Sequence, residues 1–183
     1  MKTKNYTFIL EFKTLNFMKK LISYTSLMLM LFILTACPYS AEFPLDNPNE
    51  KTRAALMGKW IEETTMENPS FYMITKGSDN TYKFEKNEYS SSDKQYKKTN
   101  YTGHITKIGN VDFLNLMDSE DNKYYFHKIE LAKKDGKPQL VIYEVTDNID
   151  EKFGNSAEMK AFFDKHKDLS FFYNRDEKKY NKE

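Results

Sequence analysis

The chain has 183 residues, with 28 Lys and Arg against 27 Asp and Glu for a net charge of +1, a single Cys and 15% aromatic residues. A balance this near neutrality lacks the clustered basic footprint that nucleic acid binding needs. One cysteine excludes an intrachain disulfide framework and any cysteine-rich zinc module, while the length suits one domain with its own core.

Residues 18–37 read MKKLISYTSLMLMLFILTAC. Lys19 and Lys20 form a basic head, and Leu21 to Leu34 an apolar run interrupted only by Ser23, Tyr24, Thr25 and Ser26. The run is short for a membrane span of about 20 apolar residues, and it ends in small residues suited to cleavage. Leu34-Thr35-Ala36-Cys37 resembles the lipobox of bacterial lipoproteins. That resemblance implies a signal peptide over residues 1–36, a diacylglycerol thioether on Cys37, cleavage before it and acylation of the new amino group. The expected partner is therefore a membrane, reached through lipid on Cys37, and the expected location is the cell envelope. Pro38 stands where an inner-membrane retention signal would carry Asp, which makes the outer membrane the default. Residues 1–17 sit awkwardly ahead of a signal peptide, so translation is expected to start at Met18. Processing removes Lys2, Lys4, Lys13, Lys19 and Lys20 with Glu11, shifting the net charge from +1 to −3. A mildly acidic surface adds no attraction for nucleic acid.

Residues 37–49, with Pro38, Pro44 and Pro48, read as a lipidated tether. Asn47-Pro48-Asn49-Glu50 predicts a short helix with Asn47 as cap, running to about Met57 and ended by Gly58. Beyond Gly58, turn clusters such as Gly77-Ser78-Asp79-Asn80, Gly109-Asn110 and Lys134-Asp135-Gly136 recur at strand-like intervals. The segments between them (59–66, 71–76, 82–89, 96–108, 111–117, 124–132 and 139–146) are rich in β-branched and aromatic residues. Such spacing predicts an all-β antiparallel fold, a barrel or an open sandwich, over residues 50–175.

Alternation suggests the inward faces. Tyr125, His127, Ile129 and Leu131 form the more apolar side of one segment, Tyr82 and Phe84 share a side with Lys86, and Val141, Tyr143 and Val145 oppose Leu140, Ile142 and Glu144. The candidate cavity-lining residues are Tyr82, Phe84, Tyr125, His127, Ile129, Val141 and Tyr143. Asn155-Ser156-Ala157-Glu158 predicts a capped helix with Met159, Phe162, Phe163 and His166 at helical spacing. Residues 169–173 read as a last strand closing the sheet, and 176–183 as a charged, frayed tail.

Gly58-Lys59-Trp60 resembles the G-x-W start of lipocalins and lipocalin-like lipoproteins. The resemblance implies an antiparallel barrel of about eight strands, with Trp60 plugging its closed end. It also implies a cation from the far end of the chain over the indole, a contact of about 0.5–2 kcal/mol. Arg175, which follows the expected last strand, is the candidate. The expected helix precedes the last strand here, whereas in that family it follows.

Chemistry is sparse. His104, His127 and His166 match no metal spacing, and neither a G-x-S-x-G elbow nor a glycine-rich phosphate loop is present. The acidic run from Asp118 to Asn122 lacks the Gly and Glu of a calcium loop and reads as a solvated hairpin tip. Glu62, Glu63 and Glu67 are the only suggestion of a hydrolase carboxylate pair. The expectation is a non-catalytic protein without metal or cofactor, binding a hydrophobic or amphipathic small molecule in its barrel. The alternatives are a solid barrel that binds another envelope protein, or a hydrolase of unknown type. An enclosed apolar cavity of roughly 300 Å³ or more marks the first, since a small barrel can equally be filled by its own side chains.

Overall fold

Among the described residues the chain forms nine strands: β1 Ser40–Ala41, β2 Gly58–Glu62, β3 Phe71–Lys76, β4 Tyr82–Ser90, β5 Gln95–Ile108, β6 Val111–Asp118, β7 Tyr124–Lys134, β8 Lys137–Glu144 and β9 Lys178–Lys182. A helix, α1, spans Ser156–His166. The structure, a computed structural model, describes residues 38–174 and 177–183. The signal segment, Cys37 and Arg175 lie outside the described residues.

Each strand from β2 to β9 pairs antiparallel with the next in sequence, and β9 returns to β2. Trp60 opposes Lys182, and Leu140 opposes Tyr180. The result is a closed, lipocalin-like, eight-stranded antiparallel barrel, with β1 added beside β7. Closure leaves no long edge for another chain to pair with.

The last strand is not where the alternation placed it. Residues 170–172 form a 3-10 turn, and only Tyr173 makes a bridge, to Val145. The closing strand is instead cut from the charged tail. Tyr180 enters the lumen at 1% exposure, and Lys178 and Lys182 share its face. Lys179 and Asn181 alternate with them, so a period-2 pattern is present, but with long cationic stems where apolar residues are expected.

Residues 38–49 also depart from the reading as a free tether. Pro38 bridges to Thr146, and Ser40 and Ala41 pair with Tyr125 and Tyr124. Leu45 is buried, its N–H donating to Asn115 Oδ1 at 2.8 Å. Asp46 holds the strap twice, through its carbonyl on His104 Nε2 at 2.8 Å and its carboxylate on Lys160 at 2.6 Å. Tyr39, Ala41, Phe43 and Leu45 alternate along this stretch and join the outer core, which makes burial more favourable than a solvated linker. The helix expected after Asn47 shrinks to a 3-10 turn, Ala54–Leu56. Its backbone donors go to the barrel instead: Thr52 N–H to Asp79 O, and Arg53 N–H to the Tyr82 hydroxyl.

Two cores result. One fills the lumen, with Trp60, Ile74, Tyr82, Phe84, Ile105, Leu114 and Leu140 among its members. The other lies outside the wall, where Met159 and Phe163 of α1 pack with Phe113, Phe126 and Leu45. The α1 start follows its sequence signature: Asn155 Oδ1 accepts from Glu158 N–H at 3.0 Å, and Glu158 reaches back to Gly154 N–H at 2.9 Å.

Candidate functional site

The first residues of β2 explain one end of the barrel. Gly58 has φ +123°, so the backbone calls for glycine, and Lys182 Cε packs where a Cβ would stand. Trp60 follows, fully buried, its indole N–H donating to Leu56 O at 2.8 Å. Lys182 Nζ lies 5.2 Å from the Trp60 ring and donates to Ala55 O at 3.0 Å. The cation over the indole among the described residues is thus Lys182, and Arg175 lies outside them. Lys182 was missed because it belongs to the strand misread as a tail.

Above this plug the lumen is solid. Gly103 faces inward between Tyr82 and Leu116, and a Cβ on it would meet Phe84 Cε2 at 2.8 Å and Leu116 Cδ2 at 2.9 Å. Its missing side chain makes room for the Phe84 ring. Tyr82, Phe84 and Ile129 therefore belong to packing rather than to the wall of a lumenal cavity.

Toward the opposite end the lumen opens into a cavity of about 270 Å³. Tyr72, Leu116, Ile142 and Tyr180 supply apolar surface, and Lys86, Asp118, Glu144, Lys178 and His127 supply polar surface. This is smaller and more polar than the enclosed apolar space expected for a carrier. Tyr125 and His127 line it.

Val141 and Tyr143 do not line it, correcting the alternation reading of β8. Ile142 opposes Ile129 across the β7–β8 ladder, and both are lumenal, so Leu140, Ile142 and Glu144 point in and Val141 and Tyr143 point out. Tyr143 lies beneath Lys128 Nζ at 4.8 Å, beside the Tyr173 ring at 6.0 Å. Both faces of β8 are apolar, and only pairing with β7 chooses between them.

His127 is the unusual group. Burial, with Lys86 and Lys178 nearby, pushes its pKa down to about 3, so the imidazole is neutral at ordinary pH. Its Nε2 stands 3.9 Å from Glu144 Oε2, beyond hydrogen-bond range. Its Nδ1 is buried and has no partner among the described residues. An unpaired buried polar atom costs about 1–3 kcal/mol, a penalty that a ligand's polar group would relieve. Glu144 is oriented by Asn174 Nδ2 at 2.5 Å, and Lys86 by Glu88 at 2.7 Å.

This environment predicts a pH effect with a definite sign. The folded pKa lies below the unfolded value of about 6.5, so the contribution is intact above pH 6.5 and is lost as pH falls toward 3. The loss is at most about 1.4 kcal/mol per pH unit. His127→Phe removes both the titration and the orphan nitrogen. Urea unfolding at pH 7 and pH 5 is expected to show the variant no less stable than wild type at pH 7. It should also lose less between the two values, with His104, likewise depressed by burial, supplying the remainder. Equal losses in the two proteins would reject a buried neutral His127.

The remaining sequence candidates stand apart. His104 lies under the strap on Asp46, and His166 stacks on Phe162 at 4.0 Å, so the three histidines occupy separate environments. Glu63 is tied to Lys134 and to Gln139. In the β6–β7 turn Asp121 accepts from the Tyr125 hydroxyl at 2.6 Å and Asp118 from Glu120 N–H at 2.8 Å. Comparison of the chain with protein-family models, curated proteins and solved structures finds no match.

Proposed function

We propose that the chain is a cell-envelope lipoprotein, anchored through Cys37 in the outer membrane, whose barrel binds a small amphipathic molecule at its open end without catalysis. The single observation that carries the reading is the buried, unpartnered His127 Nδ1 in the wall of the cavity. A ligand group bonded there recovers the cost of holding a buried nitrogen without a partner. Apolar contact with Leu116 and Ile142 favours one part of the ligand, and the charged groups around His127 favour the other. At about 270 Å³ the space suits a small molecule or the end of a longer one.

Native mass spectrometry of the secreted Cys37→Ser chain, incubated with a lipid extract of the envelope, tests this directly. A discrete one-to-one adduct is expected, weakened in His127→Phe. An apo mass across the whole extract would reject ligand binding and favour the second reading, a filled barrel that contacts an envelope protein. That reading draws on the solid packing of Trp60, Tyr82, Phe84 and Leu140 through the rest of the lumen.

A further inference from the structure

The open end of the barrel is also the end where the described chain begins. By the order of the strands, the loops 63–70, 91–94 and 119–123 and the segment 145–174 leave this end, while Trp60 and Lys182 close the other. Pro38 is part of the cavity wall and is fixed by its bridge to Thr146, and Tyr39 N–H donates to Val145 O at 3.0 Å. Consecutive Cα atoms lie about 3.8 Å apart, and Pro38, the residue that follows the proposed anchor in sequence, is held at this rim. Two of these loops carry exposed apolar side chains. Phe171 is 69% exposed and Met66 62%. Phe171 precedes Phe172, whose carbonyl accepts from Thr146 N–H at 3.1 Å. Thr146 is thus the bridge partner of Pro38 on one side and donates on the other to the turn that presents Phe171.

We infer that this rim docks on the bilayer, with Phe171 and Met66 at the interface, so that the cavity opens onto lipid and exchanges an amphiphile directly with the membrane. The inference rests on the acylation of Cys37 proposed above. An anchor attached through a flexible linker would leave the barrel free to tumble. An anchor one residue from a bridged proline holds one end down, and apolar side chains at that end deepen the contact. The opposite end, with its buried indole, points away.

Trp60 is the only tryptophan in the chain and reports on the far end. The test uses the full chain processed in a bacterial host and reconstituted into phosphatidylcholine–phosphatidylglycerol vesicles with brominated acyl chains. Its N-terminal mass is measured on the same sample. Native emission, from Trp60, is expected to be unchanged by bromination. Phe171→Trp should add emission that brominated lipid largely removes, and Met66→Trp should do the same at a second exposed position. An acylated, vesicle-bound protein whose added emission is no more quenched than that of Trp60 would overturn the orientation while leaving the anchor standing. Quenching of Trp60 itself would overturn it as well. An N-terminal mass without lipid, together with absence from the vesicles, would overturn the anchor and the orientation with it.

Discussion

Ending the chain after Glu177 is expected to abolish cooperative folding. The removed residues carry the whole of β9, which pairs with β2 over Trp60 to Glu62 and with β8 over Gln139 to Ile142. Without β9 the ring opens, two strands acquire bare edges, and the lumen loses Tyr180. Tyr180 packs against the Tyr72 ring at 5.2 Å, and losing a large buried aromatic alone costs about 3–5 kcal/mol. Domain stabilities are about 5–15 kcal/mol, so the aromatic and the strand's hydrogen bonds together consume most of the margin. Circular dichroism and urea titration of the truncated chain should show a broad transition without a folded baseline. A sharp transition at the wild-type midpoint would show that β9 is dispensable.

Trp60→Ala is the second large effect. The indole is fully buried, donates a hydrogen bond to Leu56 O and lies beneath Lys182. Deleting it removes its burial and leaves a cavity in a packed lumen, an expected loss of about 3–5 kcal/mol. Equilibrium urea unfolding measures it, and a loss below about 1 kcal/mol would reject the plug. Lys182→Ala should lose less, and much of that loss should vanish once Trp60 is gone. Additive losses in the double-mutant cycle would refute the cation over the indole.

Much of the fold was legible because strands announce themselves locally. The segments from Phe71 to Ser90, from Gln95 to Ile108 and from Val111 to Asp118 are bounded by turn residues and written in aromatic and β-branched side chains. The α1 cap was legible for the same reason, since Asn155 and Glu158 are three residues apart. The first predicted strand ran long. It ends at Glu62, whose N–H donates to Ser70 O as the chain turns toward β3, a pairing that propensity does not encode.

The candidate site was half legible. Tyr125 and His127 were placed on the correct face of β7, because that strand is polar on the other side at Lys128 and Glu130. Lys86 likewise came with its face of β4. Val141 and Tyr143 were assigned to the wrong side because β8 offers no such contrast. Glu144 and Lys178 join the cavity wall only through pairing with β7 and β8.

The sequence by itself determined an all-β antiparallel meander, its Gly58-to-Trp60 start and one capped helix, because these depend on turn chemistry and short-range periodicity. Tertiary structure decided the rest. It drew a lysine-rich tail into the ring, since only closure against β2 and β8 rewards burying Tyr180. It pulled residues 38–46 onto the wall, since only the assembled outer face offers Asn115 and His104 as partners. It also left His127 Nδ1 without a partner among the described residues, because an orphaned nitrogen is a property of its neighbours in space rather than of its place in the chain.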